Sequence, residues 1–151
     1  MGCGCKDLTK LGVYYLDPSI KPLFKATEGS ACWDICSSQS HSIEPGSIVM
    51  VETGIILDIP NGYSVRLHPR SSLAYKKSLT LANAEGVIDA DYVDPVKILL
   101  YNIGKTLQFI QSGERICQAE LVRNVNFKFN VLTEPPKQKT ERNGGFGSTG
   151  S

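Results

Sequence analysis

The chain is 151 residues long, the size of one ordinary domain and enough to bury a core without disulfides or a structural metal. Sixteen Lys and Arg against fifteen Asp and Glu leave a formal charge of +1, so no broad field marks a stable nucleic-acid or membrane partner, and any anion must be held by a local site. No apolar run reaches the length of a membrane span and no secretory signal is visible. The five scattered cysteines (Cys3, Cys5, Cys32, Cys36 and Cys117) suit the reduced thiols of a cytoplasmic protein better than a disulfide framework.

Met1-Gly2-Cys3-Gly4-Cys5 resembles the start of doubly acylated proteins, but Lys6 stands where that pattern needs Ser or Thr. A disordered start over residues 1–10 is expected. Cys3 and Cys5 with His41 and His68 lack the paired spacing of zinc ligands, and no structural metal is assigned to them.

From residue 11 to 133 the apolar residues alternate or come in short β-branched runs bounded by Gly, Pro and Asn, which is an all-β pattern. Strands are predicted at 12–16, 33–36, 48–59, 63–68, 96–102, 107–110, 116–122 and 127–132. Many short strands between turn signals point to a jelly-roll-like barrel or sandwich. One short helix is predicted over 71–77, where Ser-Ser-Leu-Ala-Tyr-Lys-Lys follows a proline and offers a potential Ser cap.

Three stretches of this domain are chemically dense. Pro69-Arg70-Ser71-Ser72-Leu73-Ala74 sets an arginine and two hydroxyls at a strand end and a helix start, where backbone N–H groups and the dipole favour phosphate; taken alone, the serines are better explained by simple helix capping. Asn83-Ala84-Glu85-Gly86-Val87-Ile88-Asp89-Ala90-Asp91-Tyr92 reads as a β-hairpin with Asp89 and Tyr92 on or near its returning arm. Its tip exposes main-chain donors and acceptors that, with Asn83, match the edge of a nucleobase. A carboxylate there can deprotonate a water and an aromatic can pack on a sugar; an acidic surface hairpin is the alternative. Gly113-Glu114-Arg115-Ile116-Cys117-Gln118 is a turn entering a strand, with a Gln amide that can donate to an anion.

From residue 134 the composition turns charged and Pro-bearing, with nothing apolar to anchor it, so 134–151 is expected to be a flexible linker and a glycine-rich arm. Arg142-Asn143-Gly144-Gly145-Phe146-Gly147-Ser148-Thr149-Gly150 can wrap backbone N–H groups around an anion while Phe146 stacks on a flat group. It lacks GxxxxGK[ST], which excludes a P-loop.

Taken in order, Ala31 to Ser37, Pro69 to Ala74, Asn83 to Asn102, Gly113 to Gln118 and Arg142 to Gly150 resemble the five motifs of the trimeric deoxyuridine triphosphatase (dUTPase) family, from about Gly29 to the C-terminus. The resemblance implies a dUTPase-like fold and a homotrimer with shared active sites. It also implies hydrolysis of dUTP to dUMP and pyrophosphate with Mg²⁺, which limits uracil incorporation into DNA and supplies dUMP for dTMP synthesis. By the same resemblance Asp34 holds the hydrated Mg²⁺ through water, the substrate phosphates being its main ligands. Arg70, Ser71, Ser72 and Gln118 contact phosphate, while Asn83 and the backbone of Gly86, Val87 and Ile88 read uracil. Tyr92 packs on deoxyribose, Asp89 is the general base and Lys97 contacts the nucleotide. Phe146 stacks on the base, and Arg142, Gly147, Ser148 and Thr149 close over the phosphates.

Three features depart from the family pattern. Asp94 stands where Gly is usual and precedes Pro95; the spacing from Arg142 to Phe146 is one residue short; Cys32 and Trp33 replace a commoner Gly and Tyr. A dCTP deaminase of the same fold would carry a catalytic Glu where this chain has Leu99, which moves no proton. A nucleotide-binding protein without turnover would not need Asp89, and a jelly-roll shell or carbohydrate-binding protein leaves the glycine-rich arm unexplained.

Overall fold

The computed structural model describes residues 8–141 and residue 144. Eleven strands and one helix follow in chain order: β1 (Gly12–Tyr15), β2 (Trp33–Cys36), β3 (His41–Ile43), β4 (Ile48–Glu52), β5 (Ile55–Asp58), β6 (Tyr63–His68), α1 (Ser71–Lys77), β7 (Leu79–Leu81), β8 (Gly86–Ile88), β9 (Lys97–Asn102), β10 (Gln108–Ile110) and β11 (Arg115–Arg123). They pair antiparallel into a four-stranded sheet β2-β11-β6-β8, a three-stranded sheet β4-β9-β7 and two ribbons, β1-β5 and β10-β3. This is the jelly-roll-like all-β subunit with one short helix that the alternation predicts.

The alternation itself builds the core. Ile98 and Leu100 of β9 face Val51 of β4 and Leu79 and Leu81 of β7, all at most 4% exposed. On the other sheet Val65 and Leu67 of β6 pack with Ile116, Cys117 and Ala119 of β11. Each Val, Leu or Ile among them contributes roughly 1.5–3 kcal/mol by leaving water. Asn102 is fully buried among them and fully engaged: its amide donates to the Ile43 and Thr106 carbonyls at 2.9 and 2.8 Å and its oxygen accepts from Gly104 N–H at 2.9 Å. The side chain thereby ties the end of β9 to β3 and to the following turn.

Four expectations are corrected. The strand expected over 48–59 is two strands, because Gly54 takes φ +70 and turns the chain between them. The Asn83–Tyr92 segment is not a hairpin. β7 before it pairs with β9 and β8 within it pairs with β6, so the chain crosses from one sheet to the other, and Asp89 and Tyr92 lie in the turn after β8. The helix has no Ser cap: Arg70 occupies the N-cap position with extended φ −98 and ψ 128 and makes no side-chain capping bond. The strand expected over 127–132 is absent. Val125, Phe127, Phe129 and Val131 alternate with polar residues, as a strand requires, but stand 69–92% exposed and pair with no strand among the described residues. The strands at 41–43 and 79–81 escape the sequence pattern because each is only three residues long.

Candidate functional site

The polar residues singled out in the sequence gather at two places on the chain. The first is a cavity of about 200 Å³ lined by Leu67, Asn83, Gly86, Val87, Ile88, Asp89, Tyr92, Val96 and Lys97. Its floor depends on Gly86. A Cβ there would stand 2.9 Å from Leu67 Cβ and Cδ1, so only glycine lets β8 lie this close to β6. The rim carries backbone strain, since Ala84 holds φ +60 in the turn where the Ala84 N–H donates to the Leu81 carbonyl at 3.2 Å. Asp89 and Asn83 are exposed to solvent. The turn beyond β8 is closed by the Tyr92 N–H donating to the Asp89 carbonyl at 3.2 Å, and the Tyr92 hydroxyl donates to the Pro95 carbonyl at 3.2 Å. Asp94-Pro95 thus leaves Lys97 in the cavity wall, with its ammonium 3.8 Å from Glu52 on the neighbouring strand.

The second place is a pocket of about 440 Å³ lined by Asp34, Arg70, Ser71, Ser72, Arg115 and Gln118, with Cys32 and Ser30 at its edge. Asp34 organises it. One carboxylate oxygen accepts from Arg70 Nε at 2.9 Å and the other from an Arg115 guanidinium nitrogen at 3.1 Å; the side chain is only 12% exposed. The Asp34 backbone is fixed as well, exchanging hydrogen bonds of 2.7 and 3.2 Å with Phe24, over whose ring Arg115 lies at 5.9 Å. Arg70 also donates to the Arg115 carbonyl at 3.2 Å, and Gln118 Nε2 donates to the Pro69 carbonyl at 3.0 Å. Two guanidiniums, two helix-start hydroxyls and an amide therefore converge where an anion gains charge-assisted contacts. Burial, Glu120 and Asp34 all push the Cys32 thiol up from its ordinary range.

The two half-sites differ in chemistry. The smaller has an apolar floor and hydrogen-bonding walls, suited to a flat heterocycle; the larger is cationic. At about 200 Å³, the first falls below the roughly 300–1,000 Å³ usual for a whole small-molecule site. Arg115 is the pocket residue that sequence reasoning did not select. Its signal lies in the Gly113–Gln118 segment, but its partner Asp34 is 81 positions away, a distance that no local pattern spans. Arg142, Phe146, Gly147, Ser148 and Thr149 lie outside the described residues.

The sequence profile of the dUTPase family matches residues 19–150, beginning earlier than the motifs alone indicate. The chain belongs to the dUTPase family. It is 45% identical over 127 residues to a deoxyuridine 5'-triphosphate nucleotidohydrolase of Desulfotalea psychrophila, spanning 82% of this chain and 83% of that protein. Its fold matches a Staphylococcus bacteriophage 80alpha dUTPase bound to dUpNHpp with a TM-score of 0.85, at 23% identity, over 95% of this chain and 100% of the other. A phage phi11 dUTPase of Staphylococcus aureus, described with a coordinated structural Mg(II) ion, matches with a TM-score of 0.77 at 20% identity, over 83% and 98% of the two chains. Within this dUTPase-family chain the matched span includes both half-sites and the β-framework that presents them.

Proposed function

We propose that the chain hydrolyses dUTP to dUMP and pyrophosphate, with the smaller cavity taking uracil and deoxyribose and the cationic pocket taking the phosphates. The observation that carries this reading is the gathering of Asn83, Asp89, Tyr92 and Lys97 around one small cavity with an apolar floor. Asn83 and the β8 backbone offer donors and acceptors to one base edge, and a cavity this small disfavours the extra methyl of thymine. Tyr92 supplies a flat face for the sugar. Asp89 takes a proton from a water as its oxygen attacks the α-phosphorus; the bond from that phosphorus to the bridging oxygen breaks and pyrophosphate leaves. Arg70, Ser71, Ser72 and Gln118 position the phosphate chain and meet the charge that grows on the leaving group.

Mg²⁺, when bound with substrate, would neutralise part of the triphosphate charge. The donor set fits such an ion in one way. Asp34 is a hard oxygen donor, but Arg70 and Arg115 already flank both of its oxygens, so it suits a hydrated ion held mainly by substrate phosphates and reached through water. Arg142, Phe146, Gly147, Ser148 and Thr149 of the C-terminal arm then cover the base and phosphates.

The active species in this reading is a homotrimer. The two half-sites each lack what the other provides, and the exposed alternating segment around Phe127 and Phe129 has the pattern of a strand awaiting a sheet on another subunit. Free Cys32, Cys36 and Cys117 agree with work inside a cell, where the substrate is made. Purified protein incubated with dUTP, dCTP, dTTP and UTP in Mg²⁺ tests the proposal: pyrophosphate should form from dUTP alone. Deamination of dCTP, or no turnover of dUTP, would overthrow it.

A further inference from the structure

We propose that Cys32, His68 and Glu120 form a binding site for one thiophilic divalent cation, best matched by Zn²⁺, on the solvent side of the four-stranded sheet. The site follows from strand register. β11 lies between β2 and β6, with Gln118 opposite Asp34 on one side and opposite His68 on the other. Continuing the β2 register by one residue sets Cys32 opposite Glu120. Gln118 and Glu120 are two positions apart and share a face, because Cys117 and Ala119 point into the core. Three adjacent strand positions thus bring a thiol, an imidazole and a carboxylate to one spot, each half-buried, with one donor atom from each within 4.8 Å of the others.

The donor chemistry selects the ion. Sulfur and imidazole nitrogen with a single carboxylate oxygen suit Zn²⁺, whereas Mg²⁺ and Ca²⁺ take oxygen. Bond lengths of 2.0–2.3 Å put donors around a tetrahedral zinc at separations of about 3.3–3.8 Å. The His68 Nε2 to Glu120 Oε1 distance is already 3.0 Å, so closure asks chiefly for a side-chain movement of Cys32. Three protein donors leave a fourth position for water or an anion.

A second feature points the same way. With Nε2 turned to Glu120, the other ring nitrogen, Nδ1, lies 3.8 Å from Glu85, beyond hydrogen-bond length but near enough that a small side-chain rotation would give the carboxylate-to-histidine-to-metal arrangement that orients a ligating imidazole. Arg66, which the register sets opposite Glu120, turns to Glu85 instead at 3.6 Å and leaves Glu120 to His68. The inference is independent of the nucleotide reading, although Cys32 also borders the cationic pocket and Glu85 belongs to the loop beside the smaller cavity.

The test titrates the assembled full-length protein with Co²⁺, a spectroscopic stand-in for Zn²⁺, and measures Zn²⁺ retention by equilibrium dialysis. Cys3 and Cys5 are a second possible source of thiolate, so the same measurements are made on the full chain carrying Cys3→Ser and Cys5→Ser. One ion per chain and a near-ultraviolet thiolate-to-cobalt band should persist in that double variant and vanish in Cys32→Ser. Glu85→Gln, which alters no ligand, should keep the band but weaken affinity about 10- to 100-fold. Absence of a band in the unmodified protein, its loss in the double variant or its survival in Cys32→Ser would each overturn the proposal. If Cys32→Ser fails to fold, Glu120→Gln and Glu85→Gln carry the decision, and unchanged affinity in both would overturn it.

Discussion

Asp89 is exposed, lines the smaller cavity and accepts a turn hydrogen bond through its backbone carbonyl, so its carboxylate is free of structural duty there. Replacing it with Asn keeps the shape and removes the proton acceptor. Turnover of dUTP should fall by about two decades or more with binding retained; steady-state kinetics with near-normal kcat would remove Asp89 from the role of base. A different residue sets a pH limit. Burial holds the Cys117 thiol far above its ordinary value of about 9, so above that pH the unfolded chain releases a proton that the folded chain keeps. The stability associated with Cys117 is full below about pH 9 and declines as pH rises, at up to about 1.4 kcal/mol per pH unit. Thermal midpoints measured between about pH 8 and 10 should therefore fall more steeply in the unmodified protein than in Cys117→Ala; parallel curves would contradict this. The candidate residues Asn83, Asp89 and Tyr92 were legible because they are close neighbours in sequence. The clamp of Asp34 by Arg70 and Arg115 was not, since it joins positions 36 and 81 residues apart.

Elements were legible where periodicity had room to declare itself. β2, β6 and α1 have the bounds expected of them, β9 starts one residue later, and β11 runs one residue further at each end. Strand partners were not legible, because alternation fixes which face is buried and says nothing of which neighbour a strand meets. The Asn83–Tyr92 segment therefore reads as a hairpin in sequence and crosses between sheets in the fold. That crossing makes β8 a short edge strand whose whole approach to β6 rests on Gly86. Gly86→Ala places a methyl 2.9 Å from Leu67 Cβ, and relieving it must move β8 or the buried Leu67. We expect a loss of about 1–3 kcal/mol in unfolding free energy, with KM for dUTP rising because Leu67, Val87 and Ile88 line the same cavity. Denaturant unfolding with kinetics on the same preparation checks both, and a variant with unchanged stability and KM would show that β8 tolerates the displacement.

At the scale of the whole molecule, the proposed function gives the C-terminal arm and the segment around Phe127 and Phe129 different tasks. Among the described residues the buried core ends at Ala119, so a chain ending at Thr140 should keep its thermal midpoint within a few degrees while losing dUTP turnover. Full activity after truncation would dismiss the arm. The preceding segment behaves otherwise. Phe127 and Phe129 meet edge to face, with centroids 5.4 Å apart and planes at 83°, yet are 69% and 92% exposed. Two aromatic rings left in water forfeit burial that a neighbouring subunit would supply, at roughly 1.5–3 kcal/mol each. Asp at both positions should leave the β-domain folded, because both rings are largely exposed and neither belongs to the buried core, and should shift the assembly toward monomer. Sedimentation velocity would read the mass and kinetics the activity on the same sample. If the half-sites of different subunits complete one another, activity should fall with protein dilution in the variant at concentrations where the unmodified protein keeps its activity. A variant that sediments as a trimer would show that this segment does not hold the assembly, and a fully active monomer would place a complete site on one chain.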